Sequence, residues 1–234
     1  MNRKHEWFIK VQALCMAAMI TLAALCQPVR VHAAEVVQPS LGIDVSRYQG
    51  QIDWAQVAAS GVQFAMIRVG YRTQNTGVLN EDPYARYNLQ EATKAGIKVG
   101  AYFFSSAVNA QEAVEEAEFT ANILDKYQIT YPVAYDCEGF RNSTSRQYAL
   151  GKDVRTALAV GFLDVIAQRG YTPMFYASKN EMEGTWMCWQ VSIRYGYPGI
   201  LNCLSHRLRH APIQESIPCG STQPRLRLQV WAVW

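Results

Sequence analysis

Between residues 41 and 184, short β-rich apolar runs alternate with segments whose apolar residues recur at helical spacing. Two periods taking turns in this way predict βα units around a parallel sheet. The runs Leu41 to Ser46, Gln63 to Val69, Ile97 to Phe104, Tyr131 to Asp136 and Thr172 to Tyr176 are the predicted strands. Helix signals lie between them. Asp53 with Gln56 caps a first helix that Gly61 stops, with Trp54 turned to the core. Asp82 followed by Pro83 opens a second helix that ends at Gly96, and Asn109 with Glu112 forms a capping box for an acidic third helix reaching about Tyr127. A long fourth helix carries Val154, Leu158, Phe162 and Val165 on one face and stops at Gly170. With no internal repeat and no Gly/Ser linker, the expected fold is α/β: a modified (β/α) barrel of TIM-barrel type, incomplete at its C-terminal end.

The chain has 234 residues, half of them hydrophobic and 18% charged, which bounds it to one core and excludes disorder. Arg3, Lys4 and Lys10 precede an apolar run from Val11 to Cys26, and Val31-His32-Ala33 follows as a small-residue cleavage pattern. Residues 1–34 therefore read as an export signal, with a retained anchor as the alternative. The expected location is secreted, extracellular or at a cell wall, with no stable membrane insertion once the signal is cleaved.

Charge is uneven along the chain. Residues 35–184 hold 13 Lys/Arg against 17 Asp/Glu, so this body is mildly acidic and has no basic stripe. Nucleic acid is excluded as the expected partner. In residues 185–234 the composition breaks: one acid, Glu215, stands against five Arg, three Cys and four Trp, with no Lys and no Asp. That segment reads as an atypical tail produced by a shift of reading frame, with a disulfide-bearing C-terminal module as the competing explanation. Cys137 is the one cysteine of the body, so a disulfide framework is not expected there.

The four histidines are His5, His32, His206 and His210, all outside the body. This removes Ser-His-Asp, Cys-His and His-zinc chemistry from the body and leaves carboxylates for acid/base work. Asp44 stands near the end of the first strand, and Asp136 and Glu138 at the end of the fourth. Strand ends of that polarity carry the active site in a (β/α) barrel. Asp136 and Glu138 share one side of an extended chain while Cys137 turns to the other. Two nearby carboxylates repel, so one retains its proton as a general acid while the other stays charged, the division that glycosidic cleavage needs. A solvated strand end is the plain alternative, and a hard-cation site for Mg²⁺ or Ca²⁺ is another.

Gly42-Ile43-Asp44-Val45-Ser46, Gln49-Gly50 with Ile52-Asp53-Trp54, Phe64-Ala65-Met66-Ile67-Arg68, Gly100-Ala101-Tyr102-Phe103-Phe104 and Asp136-Cys137-Glu138 occur in that order. The set resembles family 25 of the glycoside hydrolases, the N-acetylmuramidase-type lysozymes. The resemblance implies hydrolysis of the β-1,4 bond between N-acetylmuramic acid and N-acetylglucosamine in peptidoglycan, by a monomer, without metal or other cofactor. It also implies that Glu138 is the general acid, and that Asp136 and Asp44 orient or stabilise the reacting sugar. Tyr48, Tyr102, Phe104 and Tyr176 are candidates for stacking on sugar faces, with ordinary packing as the alternative. Arg68 is a candidate to pair with Asp44 or Asp136, with a surface bridge as the alternative. Two departures stand out: Tyr102-Phe103-Phe104 replaces the Tyr-His-Phe common in the family, and the late Asp-x-Asp is missing. A wall-binding barrel without turnover is therefore the alternative function.

Overall fold

The computed structural model describes residues 40–177 together with Trp186. Its strands are β1 (Gly42–Val45), β2 (Phe64–Arg72), β3 (Leu79–Glu81), β4 (Lys98–Phe104), β5 (Val133–Asp136) and β6 (Pro173–Tyr176). Helices α1 (Trp54–Ala59), α2 (Ala85–Lys94), α3 (Ala110–Leu124) and α4 (Lys152–Gln168) lie between strands, and a 3-10 turn covers Arg47–Gln49. The order is β1-β2-β4-β5-β6 with every pairing along it parallel, so the fold is α/β as expected. Short β3 was not expected. It runs antiparallel to Gly70–Arg72 of β2, taking the edge that β1 vacates once it has paired Val45 with Ile67.

The export segment, the residues that would close the barrel, and the tail lie outside the described residues, Trp186 excepted. Among the described residues no helix is long and apolar enough to cross a membrane.

Strand alternation divides the sheet into two faces. Ile43, Val45, Ile67, Val99, Phe103, Val133, Tyr135 and Phe175 all belong to the main core with the helices, and none is more than 2% exposed. Each large apolar side chain buried there contributes roughly 1.5–3 kcal/mol, which fixes the register of every strand. The opposite face carries the smaller cluster of Phe64, Met66, Tyr102, Ala134 and Met174. A register shift between Arg68 and Gly70 reverses this parity at the end of β2. Beyond the bulge, Arg72 reaches Glu116 of α3, and Tyr71 comes to the side of Arg68.

Helix boundaries show where tertiary partners override local signals. The second helix begins at Ala85 rather than at Pro83. Asp82 still accepts the Tyr84 N–H at 3.0 Å, but its other carboxylate oxygen is taken by Arg68 and by the Arg47 N–H. Asn109 caps α3 by accepting from Glu112 N–H at 2.9 Å, whereas the Glu112 carboxylate accepts from Val108 N–H and pairs with Arg146. In α4 the buried residues are Arg155, Thr156, Leu158, Ala159, Phe162, Leu163 and Ile166, so Leu158 and Phe162 face the core as expected and Val165 packs against it, whereas Val154 is exposed. Trp54 is buried as expected, with its indole N–H donating to Asn88 at 3.1 Å. Trp186 packs edge-on against Phe175 at 4.9 Å and Phe140 at 5.8 Å between ring centroids.

Candidate active site

Register brings the predicted residues together. Asp136, the last residue of β5, lies between Phe104 of β4 and Tyr176 of β6, and Arg68 of β2 lies opposite Tyr102 of β4. The sheet curls so that Asp44 on β1 and Tyr176 on β6, at opposite ends of the strand order, line the same cleft of about 300 Å³. Tyr48, Arg68, Tyr102, Phe104, Asp136 and Glu138 line it too, so all eight residues singled out in the sequence converge. Met66, Ala134 and Met174 also line it and had not been singled out. Each lies two residues before Arg68, Asp136 or Tyr176, so the alternation of side chains along the strands was the signal that marked them.

Local chemistry shapes the rim. Ser46 follows β1 and caps the 3-10 turn: its hydroxyl accepts from Tyr48 N–H, and the Gln49 side chain accepts from Ser46 N–H at 2.7 Å. Gly50 at φ +67° then turns the chain away. This leaves Tyr48 at the mouth, 71% exposed. On the far side Asp136 is buried and Glu138 is partly exposed, while Cys137 faces the core with its thiol 3.4 Å from the Gln147 side-chain oxygen. Gln74, which no sequence pattern marked, donates to the Glu138 carbonyl at 2.7 Å.

Three carboxylates line the cleft, and they and burial hold the phenols of Tyr102 and Tyr176 protonated. Burial raises the Tyr102 hydroxyl well above its usual range, the charges of Asp44 and Asp136 add to that, and Arg68 opposes it. Burial likewise raises Tyr176, joined by the negative charges of Glu138, Asp136 and Asp44 and by a hydrogen bond to Glu138. Both phenols therefore remain donors in the neutral range. Arg68 corrects an expectation: its ion pair is with Asp82, whose carboxylate oxygen lies 2.8 Å from both Nε and Nη2. Asp82 comes from the start of the α2 segment, fourteen residues on, where the helical reading had assigned it to a cap. Among the described residues, no three His, Cys, Asp or Glu side chains gather into a group that could hold a metal ion.

Comparison with known proteins agrees with this architecture. The chain belongs to glycosyl hydrolases family 25, which matches it over residues 43–194. Uncharacterized protein YegX of Escherichia coli (strain K12) is 28% identical over 137 residues, 58% of this chain and 47% of the relative. The chain thus spans about half the length of that relative. Lysozyme M1 of Streptomyces globisporus is 37% identical over 81 residues, 35% of this chain and 26% of that protein. Among solved structures, the modular autolysin LytC from Streptococcus pneumoniae, in complex with a synthetic peptidoglycan ligand, superposes with a TM-score of 0.55 at 25% identity. That superposition covers 62% of this chain and 34% of LytC.

Proposed function

We propose that this chain is a secreted lysozyme-type muramidase that hydrolyses the β-1,4 bond between N-acetylmuramic acid and N-acetylglucosamine in peptidoglycan. The observation that carries the reading is the meeting of Asp44, Asp136 and Glu138 in one tyrosine-rimmed cleft at the strand ends. Membership of the family and the peptidoglycan ligand of LytC support the choice of substrate. In this reading Glu138, two residues beyond the end of β5 and more exposed than Asp136, donates its proton to the leaving glycosidic oxygen as the C–O bond breaks. Asp136 and Asp44 orient and stabilise the 2-acetamido group of the sugar, which serves as internal nucleophile before water completes the hydrolysis. Tyr176 holds Glu138 by a hydrogen bond, and Tyr48 and Phe104 offer ring faces to the glycan.

The test is clearing of purified bacterial wall by the full chain and by Glu138→Gln. A positioned general acid contributes about 10² to 10⁴ in rate, so that loss is expected with folding intact. Clearing at the parental rate by the variant removes Glu138 from its role. Wall that is bound but never cleared by the parent establishes the non-hydrolytic alternative.

A further inference from the structure

Beside the acidic cleft, and continuous with it through Tyr48, Arg68 and Phe104, a second groove of about 670 Å³ opens over Arg47 and Tyr71. The two compartments differ in charge. Asp44, Asp136 and Glu138 line the first, whereas Arg47, Arg68 and Arg72 line the second and no carboxylate does among the described residues. Two of these guanidinium groups already have carboxylate partners, Arg68 in Asp82 at 2.8 Å and Arg72 in Glu116 at 2.8 Å and Glu115 at 3.1 Å. Arg47 is exposed and takes part in none of the ion pairs among the described residues.

Arg47 is nevertheless held in place. Its side-chain N–H groups donate to the hydroxyls of Tyr71 at 2.8 Å and Tyr48 at 3.5 Å. Its Cζ lies 5.1 Å from the Tyr48 ring centroid and 5.0 Å from that of Tyr71, and Arg68 contacts both rings at 5.2 Å. The Arg47 backbone N–H is fixed on Asp82 at 2.9 Å. A guanidinium ordered in this way has already lost much of its rotamer freedom, and its planar fork matches a carboxylate.

A ligand that occupies both compartments must be uncharged where it meets the carboxylates and anionic on a branch. A peptidoglycan strand has that distribution, with acetamido sugars along the chain and carboxylate-bearing peptides on alternate sugars. We propose that Arg47 binds a stem-peptide carboxylate in the groove beside the cleft, so that the enzyme recognises peptide-bearing glycan. This rests on the proposed action of the cleft on peptidoglycan.

Calorimetric binding with the full chain carrying Glu138→Gln tests it without interference from turnover. Three soluble tetrasaccharides are compared: one with free stem-peptide carboxyls, one with those carboxyls converted to amides, and one stripped of peptide so that only the lactyl carboxylate remains. The free-carboxyl fragment is expected to bind about tenfold more tightly than the other two, the effect of one charge-assisted hydrogen-bonded pair. Adding Arg47→Ala should abolish that preference while leaving the affinity for the amide form unchanged, and Arg47→Lys should keep part of it. Equal affinity for the free and amide forms, equal losses for both on Arg47→Ala, or a preference for the lactyl form overturns the proposal. Cleavage of the amide form by the chain with Glu138 intact is the separate check on the cleft: its failure sinks the muramidase reading, whereas the charge preference is read from binding alone.

Discussion

The side-chain amide of Gln74 donates to the backbone carbonyl of Glu138 at 2.7 Å, joining residues 64 apart in sequence. The Gln74 carbonyl in turn accepts from Arg146 N–H at 2.8 Å, so the loop after β2, the end of β5 and the loop before α4 are tied at one point. Gly139 makes this approach possible. A Cβ there would lie 2.6 Å from the Gln74 amide nitrogen, and its φ of +71° suits glycine.

Gln74 holds the peptide that carries Glu138, not the carboxylate, so its loss should affect turnover more than binding. Gln74→Ala is expected to lower kcat by ten- to a hundredfold with little change in KM, since small displacements of a reacting group cost rates of that order. Steady-state kinetics on solubilised wall fragments check it. A parental kcat would show that Glu138 is oriented by other contacts.

The Arg68–Asp82 pair is a stability element. Both residues are buried, and Asp82 also accepts from Arg47 N–H and Tyr84 N–H. Asp82→Ala leaves a buried guanidinium without its counter-charge, which costs about 3–5 kcal/mol. Urea unfolding followed by circular dichroism measures this. A loss below about 1 kcal/mol would mean that water readily replaces the carboxylate.

Glu116 gives the fold a pH dependence. Burial raises its carboxyl to about 7, against hydrogen bonds from Ser105 and Arg72 that lower it. Its ordinary value is 4.5, so between pH 4.5 and about 7 the folded chain holds more protons than the unfolded one. The contribution is therefore fully present below 4.5 and is lost as pH rises through about 7. Glu116→Gln should flatten the stability profile across that window, by on the order of 3 kcal/mol. Parallel melting profiles for parent and variant between pH 4.5 and 7 would contradict the assignment.

Cys137 lies between two proposed catalytic carboxylates in sequence and is expected to take no part in their chemistry. Its thiol is fully buried on the helix side, and burial raises its pKa well above the usual range. Cys137→Ala should keep parental wall clearing at a packing cost of order 1 kcal/mol, and the native thiol should resist Ellman's reagent. Loss of clearing with an unchanged melting transition would overturn the division of faces.

The sequence by itself determined the order of the five parallel strands and the four helices, the polarity that collects Asp44, Asp136 and Glu138 at one end, and the side of the chain to which Cys137 turns after β5. These follow from local rules: the two-residue alternation of an extended chain, the capping of first-turn amides, and the partition of apolar side chains. Local rules also misplaced two features. Asp82 read as a helix cap and Val154 as a core position, because the partners that decide otherwise, Arg68 for the first and the sheet beneath α4 for the second, are distant in sequence. The bulge after Arg68 flips β2 so that Arg72 serves the core and Tyr71 the cleft rim, which no periodicity of residues 64–72 announces. The same holds for Gln74 on Glu138 and for Arg47 between two tyrosines. Alternation assigns a side chain to a face, but which residue meets it depends on sheet curl, register and loop path. Those are set by the packing of the whole core, and only the tertiary structure decided them.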